Sequence, residues 1–392
     1  MPLIHMGDLL QHAHRHGYAV GAFDLVSLEF LEAILQGAES VHAPVILSVA
    51  ESHFEHFDVE LVLAASVAAA RRAAIPVAIH LDHGASLESA IAAIRMGCNG
   101  VMVDASHLPF EENVARTREV VEMAHGCGVP VEGELGYVAG VEGEDAQKHP
   151  GEIIYTSPRE AQEYVAQTGV DFLAVSIGTV HGRLRGEPRL DFERLAEINQ
   201  RVNLPLVIHG GTGLSDEQYR RLIENGVAKI NYYTALSDAA AAQIRRNASA
   251  HSRGSYTDLH RDVRNAIRRE VERCLKLWGA EGRAEPVLAE CRLWQEVEHV
   301  IEFNVPENLS GEAVHRIMEH GREVLSRIPG VRRVFIGEAV QQDKPYRYCW
   351  VIRFASTEVI DSYREHPDHV RYADEHFRPI AGDRITIDFK EI

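Results

Sequence analysis

Residues 77–84 read VAIHLDHG, an apolar run that ends in two histidines and an aspartate. A short, nearly continuous apolar run of this kind indicates a strand that is buried on both faces, as in a parallel sheet. The polar residues at its end would then lie at the carboxyl edge of that sheet. In α/β folds this edge carries the ligand-binding and reactive groups.

Similar runs recur along the chain up to about residue 246, and helix-like stretches separate them. Eight strand–helix units in roughly 250 residues match the size of a (β/α)8 TIM barrel. A doubly wound open sheet is the alternative, but no GxGxxG fingerprint follows an early strand. The predicted strands are 19–23, 45–49, 77–81, 101–105, 129–134, 172–177, 204–208 and 227–231.

The pattern changes toward the C-terminus. Residues 247–284 have helical character and should close a first domain, 1–284, which a linker at 285–296 follows. From 297 to 392 the order is strand, helix, strand, strand, helix, strand, with the last helix predicted over 356–380. This order predicts a ferredoxin-like α+β domain.

Composition narrows the class of protein. The 392 residues carry a formal net charge of −18, which makes nucleic acid and anionic membranes poor partners. No apolar run approaches the length of about 20 residues that spans a bilayer, and the first residues lack the pattern of a secretory signal. The five cysteines form no CxxC pair, so we expect free thiols and a cytoplasmic location.

Three histidines stand at or just after different predicted strands: His83, His181 and His209. Three imidazoles that converge on one rim can hold a divalent metal and leave a position open for substrate. Each histidine alone would more often be an ordinary buried residue. Asp82 could transfer a proton beside a metal-polarised carbonyl or could orient an imidazole, and both roles stay open. Strand alternation predicts that His80 points away and is structural.

Glycines flank two of these histidines, in HG at 181–182 and HGGTG at 209–213. Such backbone approaches an anion closely, and barrels often bind phosphate in the loops after strands seven and eight. A tight turn that needs positive φ is the plain alternative. Beside candidate metal ligands, the pattern favours a phosphate site.

The ordered motifs AIHLDHG, VMVDASHLPFEENV, VEGELG, LAVSIGTVHG, LPLVIHGGTGLS and KINYYTAL resemble the zinc-dependent class II ketose-bisphosphate aldolases. The resemblance runs from residue 1 to about 284 and is closest to the tagatose-bisphosphate branch. It implies reversible aldol cleavage of a ketose (bis)phosphate, such as fructose or tagatose 1,6-bisphosphate, to dihydroxyacetone phosphate and an aldehyde through a metal-stabilised enediolate. It also implies a homodimer or homotetramer.

The resemblance implies a role for each matching residue. Asp82 would move the proton of the substrate hydroxyl, and Glu142 would exchange the proton of the donor carbon from a mobile loop. Zn²⁺ would be held by His83, His181 and His209, with Glu134 and Asp104 near it, and Na⁺ or K⁺ is a possible second cation. The phosphate end of the substrate would contact Gly182, Arg185, Gly210, Gly211, Thr212, Asn231 and Thr234.

Three positions depart from the family pattern. Asp24 and Ser27 replace asparagines, and Ser237 replaces a basic residue, where relatives face the far phosphate. A carboxylate in place of an amide and a lost cation both disfavour a dianion. The alternative hypothesis is therefore an aldolase for a ketose 1-phosphate, whose acceptor aldehyde lacks a phosphate or carries a different group.

Residues 297–392 resemble the stress-responsive dimeric α/β-barrel (Dabb) domains, through VEHVIEFNV, IPGVRRVFIGE and HPDHVRYADEHFRPIAGD. Such domains pair their sheets across a dimer. His299, His366, His369 and His376 could form a second active site, but structural or solvated histidines are favoured. Two further hypotheses are a non-catalytic aldolase homologue that serves assembly and a bifunctional protein whose second domain processes a product.

Overall fold

The computed structural model describes residues 2–145, 153–183, 188–250 and 253–391, with the backbone alone for 141–145. The chain forms two compact units. The first comprises Met1–Ala90, Cys98–Val121 and Pro130–Leu293, and the second comprises Ile91–Gly97, Glu122–Val129 and Trp294–Ile392.

Eight parallel strands close into a barrel in the first unit, in the order β1-β10-β9-β7-β5-β4-β3-β2. The TIM barrel prediction is confirmed, and the open doubly wound sheet is wrong, because β1 pairs with both β2 and β10. A separate two-stranded sheet joins β6 and β8. The strands are β1 Val20–Asp24, β2 Val45–Ala50, β3 Val77–Gly84, β4 Gly100–Val103, β5 Val131–Leu135, β6 Gly140–Asp145, β7 Phe172–Val175, β8 His181–Arg183, β9 Leu206–Ile208 and β10 Val227–Tyr232.

Several of the twelve helices that the structure describes up to Glu290 begin at recognisable capping residues. Ser215 caps α8 in a reciprocal capping box with Gln218, and Ser157 caps α6 just before Pro158. Apart from the short helix Tyr256–Leu259, these helices bury an apolar face, as a (β/α)8 ring requires. They are α1 Met6–His16, α2 Leu28–Ser40, α3 Val59–Ala70, α4 Leu87–Met96, α5 Phe110–His125, α6 Pro158–Thr168, α7 Phe192–Val202, α8 Asp216–Glu224, α9 Thr234–Ala250, α10 Tyr256–Leu259, α11 Val263–Leu277 and α12 Ala284–Glu290.

The end of β3 departs from regular strand geometry. Its pairing with β4 shifts register between Leu81 and Gly84, and His83 has a φ of 48°. A non-glycine residue rarely adopts this conformation, which occurs preferentially at functional sites. Because of this kink, strict alternation of side chains does not hold at Asp82 and His83.

The second unit contains a four-stranded antiparallel sheet in the order β12-β13-β11-β14. This topology confirms the ferredoxin-like prediction. The helix predicted over 356–380 is broken, because His366 is extended before Pro367. The elements are β11 Val297–Phe303, α13 Gly311–Leu325, β12 Val331–Glu338, β13 Tyr348–Phe354, α14 Val359–Glu365, α15 Pro367–Tyr372, a π turn Ala373–Phe377 and β14 Arg384–Lys390.

Within the described residues, no helix combines the length and the apolar character that crossing a membrane requires.

Candidate active site

The three predicted histidines meet at the carboxyl end of the barrel. Nε2 of His83 lies 2.9 Å from Nδ1 of His209, and the ring of His181 lies 5.1 Å from that of His83 and 5.7 Å from that of His209. One nitrogen from each of the three lies within 4.8 Å of the others. Three imidazoles at this spacing suit a single divalent ion of the zinc type.

A buried nitrogen supports this reading. Nδ1 of His181 lies 3.3 Å from the carbonyl oxygen of Val138, which leaves Nε2 directed elsewhere. That Nε2 atom is buried and has no hydrogen-bond partner among the described residues. A buried polar atom without a partner is costly, and a metal ion would remove that cost. The residues present therefore fit a metal.

Two carboxylates border the histidines. Asp104 accepts a hydrogen bond from Nδ1 of His83 at 2.7 Å and two more from Ser106. Burial would raise the pKa of Asp104, but the hydrogen bonds from His83 and Ser106 outweigh burial and lower it. Glu134 is buried close to Asp104, and both effects raise its pKa well above the ordinary value. The oxygens of both carboxylates lie within metal-ligand reach of His83.

Asp82 lies completely buried beside this cluster. Its Oδ1 accepts a hydrogen bond from Nδ2 of Asn231 at 2.9 Å, and its Oδ2 has no partner among the described residues. Burial would raise the pKa of Asp82, but the nearby imidazoles of His83 and His209 lower it. In turn, burial lowers the pKa of His83, but Asp82 and Asp104 outweigh burial and raise it. The same negative charges would attract a metal cation.

A charged network that sequence reasoning missed lies beneath the cluster. Glu132 accepts a hydrogen bond from Nε2 of His209 at 2.9 Å and another from Nζ of Lys229 at 2.8 Å. All three side chains are fully buried. Burial would raise the pKa of Glu132, but Lys229 and His209 hold it at about 2. The sequence feature that could have indicated this network is Lys229, a lysine inside the apolar run VAKIN at 227–231.

His80 belongs to the same network. Its Nε2 lies 3.7 Å from Oε2 of Glu132, and its ring is fully buried. Burial and the charge of Lys229 lower its pKa to about 3, so it is neutral at physiological pH. The expectation that His80 points away from the site is wrong: it precedes the kink and shares a face of β3 with Asp82, two residues on, where it faces Glu132.

The predicted phosphate loops adjoin the histidines. A side chain at Gly210 would meet the carbonyl oxygen of Val180 at 2.2 Å, and φ at Gly210 is 66°. Gly182 also has positive φ, at 83°. Gly210 therefore requires glycine, and the conformation at Gly182 favours it. The backbone N–H of Ala235 donates to Oγ1 of Thr212 at 3.4 Å, so the loop after β9 contacts the start of α9 at Thr234.

Other predicted residues are only partly placed. Arg185 lies outside the described residues. Glu142 lies in β6, which pairs with β8 from Gly140 opposite His181, but its side chain is outside the described part. Of the departing positions, Asp24 is buried at the end of β1, and Ser27 caps α2 through the N–H of Phe30.

Comparison with known proteins identifies the family. The model of the family "Fructose-bisphosphate aldolase class-II" matches residues 4–283, and that of the "Stress responsive A/B Barrel Domain" (Dabb) matches 297–391. A Bacillus subtilis (strain 168) protein named "Probable fructose-bisphosphate aldolase" is 46% identical over 253 residues, which cover 64% of this chain and 88% of the relative. The crystal structure of the YdjI aldolase from Escherichia coli K12 is 35% identical, with a TM-score of 0.64, and the match covers 72% of this chain and 99% of that one. The chain therefore belongs to the class-II fructose-bisphosphate aldolase family: it is an aldolase, a lyase, with a Dabb domain at its C-terminal end.

Proposed function

We propose that this aldolase catalyses the zinc-dependent, reversible cleavage of a ketose phosphate to dihydroxyacetone phosphate and an aldehyde. The observation that carries the proposal is the convergence of His83, His181 and His209 beside Asp82. A divalent ion held by these histidines would polarise the substrate carbonyl and stabilise the negative charge that develops there. Glu134 and Asp104 are proposed to border the ion.

Asp82 is proposed to take the proton from the C4 hydroxyl as the C3–C4 bond breaks. Its Oδ2 is free among the described residues, while Asn231 holds Oδ1 and so orients the carboxylate. A lowered pKa keeps Asp82 ionised, which is the form that can accept a proton. Glu142 is proposed to exchange the proton at the donor carbon, from the strand beside His181.

The donor phosphate is proposed to bind at the loops that follow β7 and β9. The support is positive φ at Gly182 and Gly210, with no room for a side chain at Gly210, next to two of the histidines. Gly211, Thr212, Asn231, Thr234 and Arg185 complete the proposed contacts, and Na⁺ or K⁺ would bind nearby.

A Schiff-base mechanism is the alternative aldolase chemistry, and it would need a lysine amine with a free lone pair. Lys229 lies inside the barrel, but its ammonium is buried and paired with Glu132 at 2.8 Å. Because Nζ of Lys229 is engaged by this buried carboxylate, it is not presented to a substrate carbonyl. The geometry thus favours the metal-dependent route.

Whether the acceptor half of the substrate carries a phosphate is the subject of a separate proposal. Asp24 places a buried carboxylate at the end of β1, and a carboxylate there repels a second phosphate. We therefore propose that ketose 1-phosphates are cleaved at rates comparable to fructose or tagatose 1,6-bisphosphate. The test is dihydroxyacetone phosphate release by the full chain from fructose and tagatose 1,6-bisphosphate and from fructose and tagatose 1-phosphate, with and without chelator and with zinc restored. Zinc-dependent cleavage supports the function; a high rate on a bisphosphate alone contradicts the acceptor proposal.

We also propose a homo-oligomer, a dimer or tetramer, in which two copies pair through the open face of the C-terminal sheet. A four-stranded sheet does not close into a barrel by itself, yet the matching family is described as a barrel. One face of the sheet buries Phe303, Trp350 and Phe354. The large apolar side chains that the sheet exposes, 41–51% accessible, are Phe335, Ile385, Ile387 and Phe389.

A cytoplasmic location is proposed on the basis of the free thiols. Cys98, Cys127, Cys274 and Cys291 are buried and Cys349 is half-buried, and none forms a disulfide. Free thiols in this number suit a reducing compartment.

A further inference from the structure

A second cluster of metal-ligating side chains lies at the opposite end of the barrel from the candidate active site. Helix α1 carries His12 and His16 four residues apart, so both face the same side. Nε2 of His12 and Nε2 of His16 lie 3.8 and 3.7 Å from Oε2 of Glu290, the last residue of α12. The three candidate ligand atoms all lie within 4.8 Å of one another.

His12 is oriented toward this cluster. Its side chain is 1% exposed, and its Nδ1 lies 2.9 Å from the hydroxyl of Tyr18. Its Nε2 is buried and has no hydrogen-bond partner among the described residues. If Nδ1–H donates to Tyr18, the Nε2 lone pair points at His16 and Glu290. Metal-ligating histidines typically have their second nitrogen held in this way.

The spacing is close to that of a bound ion. In a tetrahedral zinc site with bonds of about 2.0–2.1 Å, ligand atoms lie about 3.3 Å apart. The observed distances of 3.7 and 3.8 Å need only small side-chain adjustments. Glu290 is 49% exposed and His16 is 42% exposed, so the ion would have access from solvent and room for a water ligand.

We propose that His12, His16 and Glu290 form a second transition-metal site, of the zinc type, which joins α1 to α12. Tyr18 lies two residues before β1 begins, and Leu3, ahead of α1, pairs with Val77 at the start of β3. The site therefore lies at the amino ends of the strands, away from the substrate. Its role is structural: an ion that binds only the folded chain stabilises it by mass action.

The surroundings restrict the kind of ion. Arg15 and Arg283 lie close enough to influence His12, and their charges oppose binding of any cation. Mg²⁺ and Ca²⁺ prefer oxygen ligands and would gain little from two imidazoles. Zn²⁺, Ni²⁺ and Cu²⁺ bind imidazole strongly. The site should therefore take these ions and leave Mg²⁺ and Ca²⁺ unbound.

The test is the number of zinc ions held by the full chain, prepared without a polyhistidine tag and dialysed against dilute Zn²⁺. The wild type is expected to hold two ions per chain. His16→Gln and Glu290→Gln should each hold one and should retain the wild-type rate of aldol cleavage. Added Zn²⁺ should raise the Tm of the wild type more than that of either variant.

Two controls assign the ions. His14→Gln alters a neighbour on the same helix whose Nε2 contacts Asn199 instead, and it should hold two ions. His83→Ala should lose the other ion, so this site and the catalytic site are counted separately. If His16→Gln and Glu290→Gln hold as many ions as the wild type, or if His14→Gln loses one too, the proposal is overturned.

Discussion

Nε2 of His209 lies 2.9 Å from Oε1 of Glu132, and both side chains are fully buried. This contact leaves Nδ1 of His209 to face His83. A carboxylate behind an imidazole fixes which nitrogen is free to bind a metal. Because Lys229 pairs with the other oxygen of Glu132, the orientation of His209 is tied to a buried ion pair.

The ion pair should be detectable in the stability of the protein. Glu132→Gln leaves the Lys229 ammonium buried without a counter-charge, and we expect a loss of about 3–5 kcal/mol in the free energy of unfolding. The double variant Glu132→Gln/Lys229→Met removes both charges and should recover much of that loss. Urea denaturation of the wild type, the single variant and the double variant measures these free energies of unfolding. Equal stabilities of the single variant and the wild type would contradict the assignment.

The histidine cluster predicts the response to loss of a ligand. His181→Ala should abolish tight zinc binding at the active site and reduce cleavage by about 10³-fold or more, because a metal supplies several kcal/mol of charge stabilisation. The fold should persist, since among the described residues Nε2 of His181 has no protein partner to lose. Zinc counting, circular dichroism and a cleavage assay check these outcomes. Full activity in the zinc-free variant would rule out the metal-dependent mechanism.

Asp82 and Glu142 are proposed to act on different protons, so their variants should separate two half-reactions. Asp82→Asn should reduce C3–C4 cleavage by about 10²–10⁴-fold, the usual worth of a general base, while proton exchange into dihydroxyacetone phosphate continues. Glu142→Gln should slow that exchange. Cleavage rates and exchange followed by NMR report the two steps. Equal loss of both in Asp82→Asn, with zinc retained, would argue against the division of roles.

The exposed face of the C-terminal sheet predicts how the proposed homo-oligomer responds to a charged side chain placed in that face. Ile387→Lys places an ammonium among the apolar side chains of that face and should yield a smaller species by light scattering. Val340→Lys is the matched control, since Val340 is 92% exposed and lies outside the strands of the same unit. If both variants form assemblies of the same mass as the wild type, the exposed sheet face is not the interface between copies.

The barrel was predictable because its strands are buried on both faces. A short apolar run such as 45–49, which follows Pro44, is typical of a strand buried on both faces. Likewise the break in the last helix could have been read from Pro367, which forces His366 out of the helical region.

The site was predictable in its residue types but not in its internal contacts. His83 reaches His209 through a positive φ and a register shift, which strand alternation does not anticipate. Lys229 and Glu132 are 97 positions apart, and their pairing depends on the closure of the barrel. Such contacts follow from tertiary structure, whereas a local pattern shows only that a lysine occupies an apolar run.

The most direct test of the central claim is proton exchange between dihydroxyacetone phosphate and D2O, followed by NMR with and without a chelator. This half-reaction needs no acceptor aldehyde, so the identity of the acceptor does not affect it. We predict exchange by the zinc-loaded chain, loss of exchange on chelation and in His83→Ala, and recovery when zinc is restored to the wild type. Absence of exchange by a chain with zinc bound at these histidines would contradict the proposed donor and chemistry.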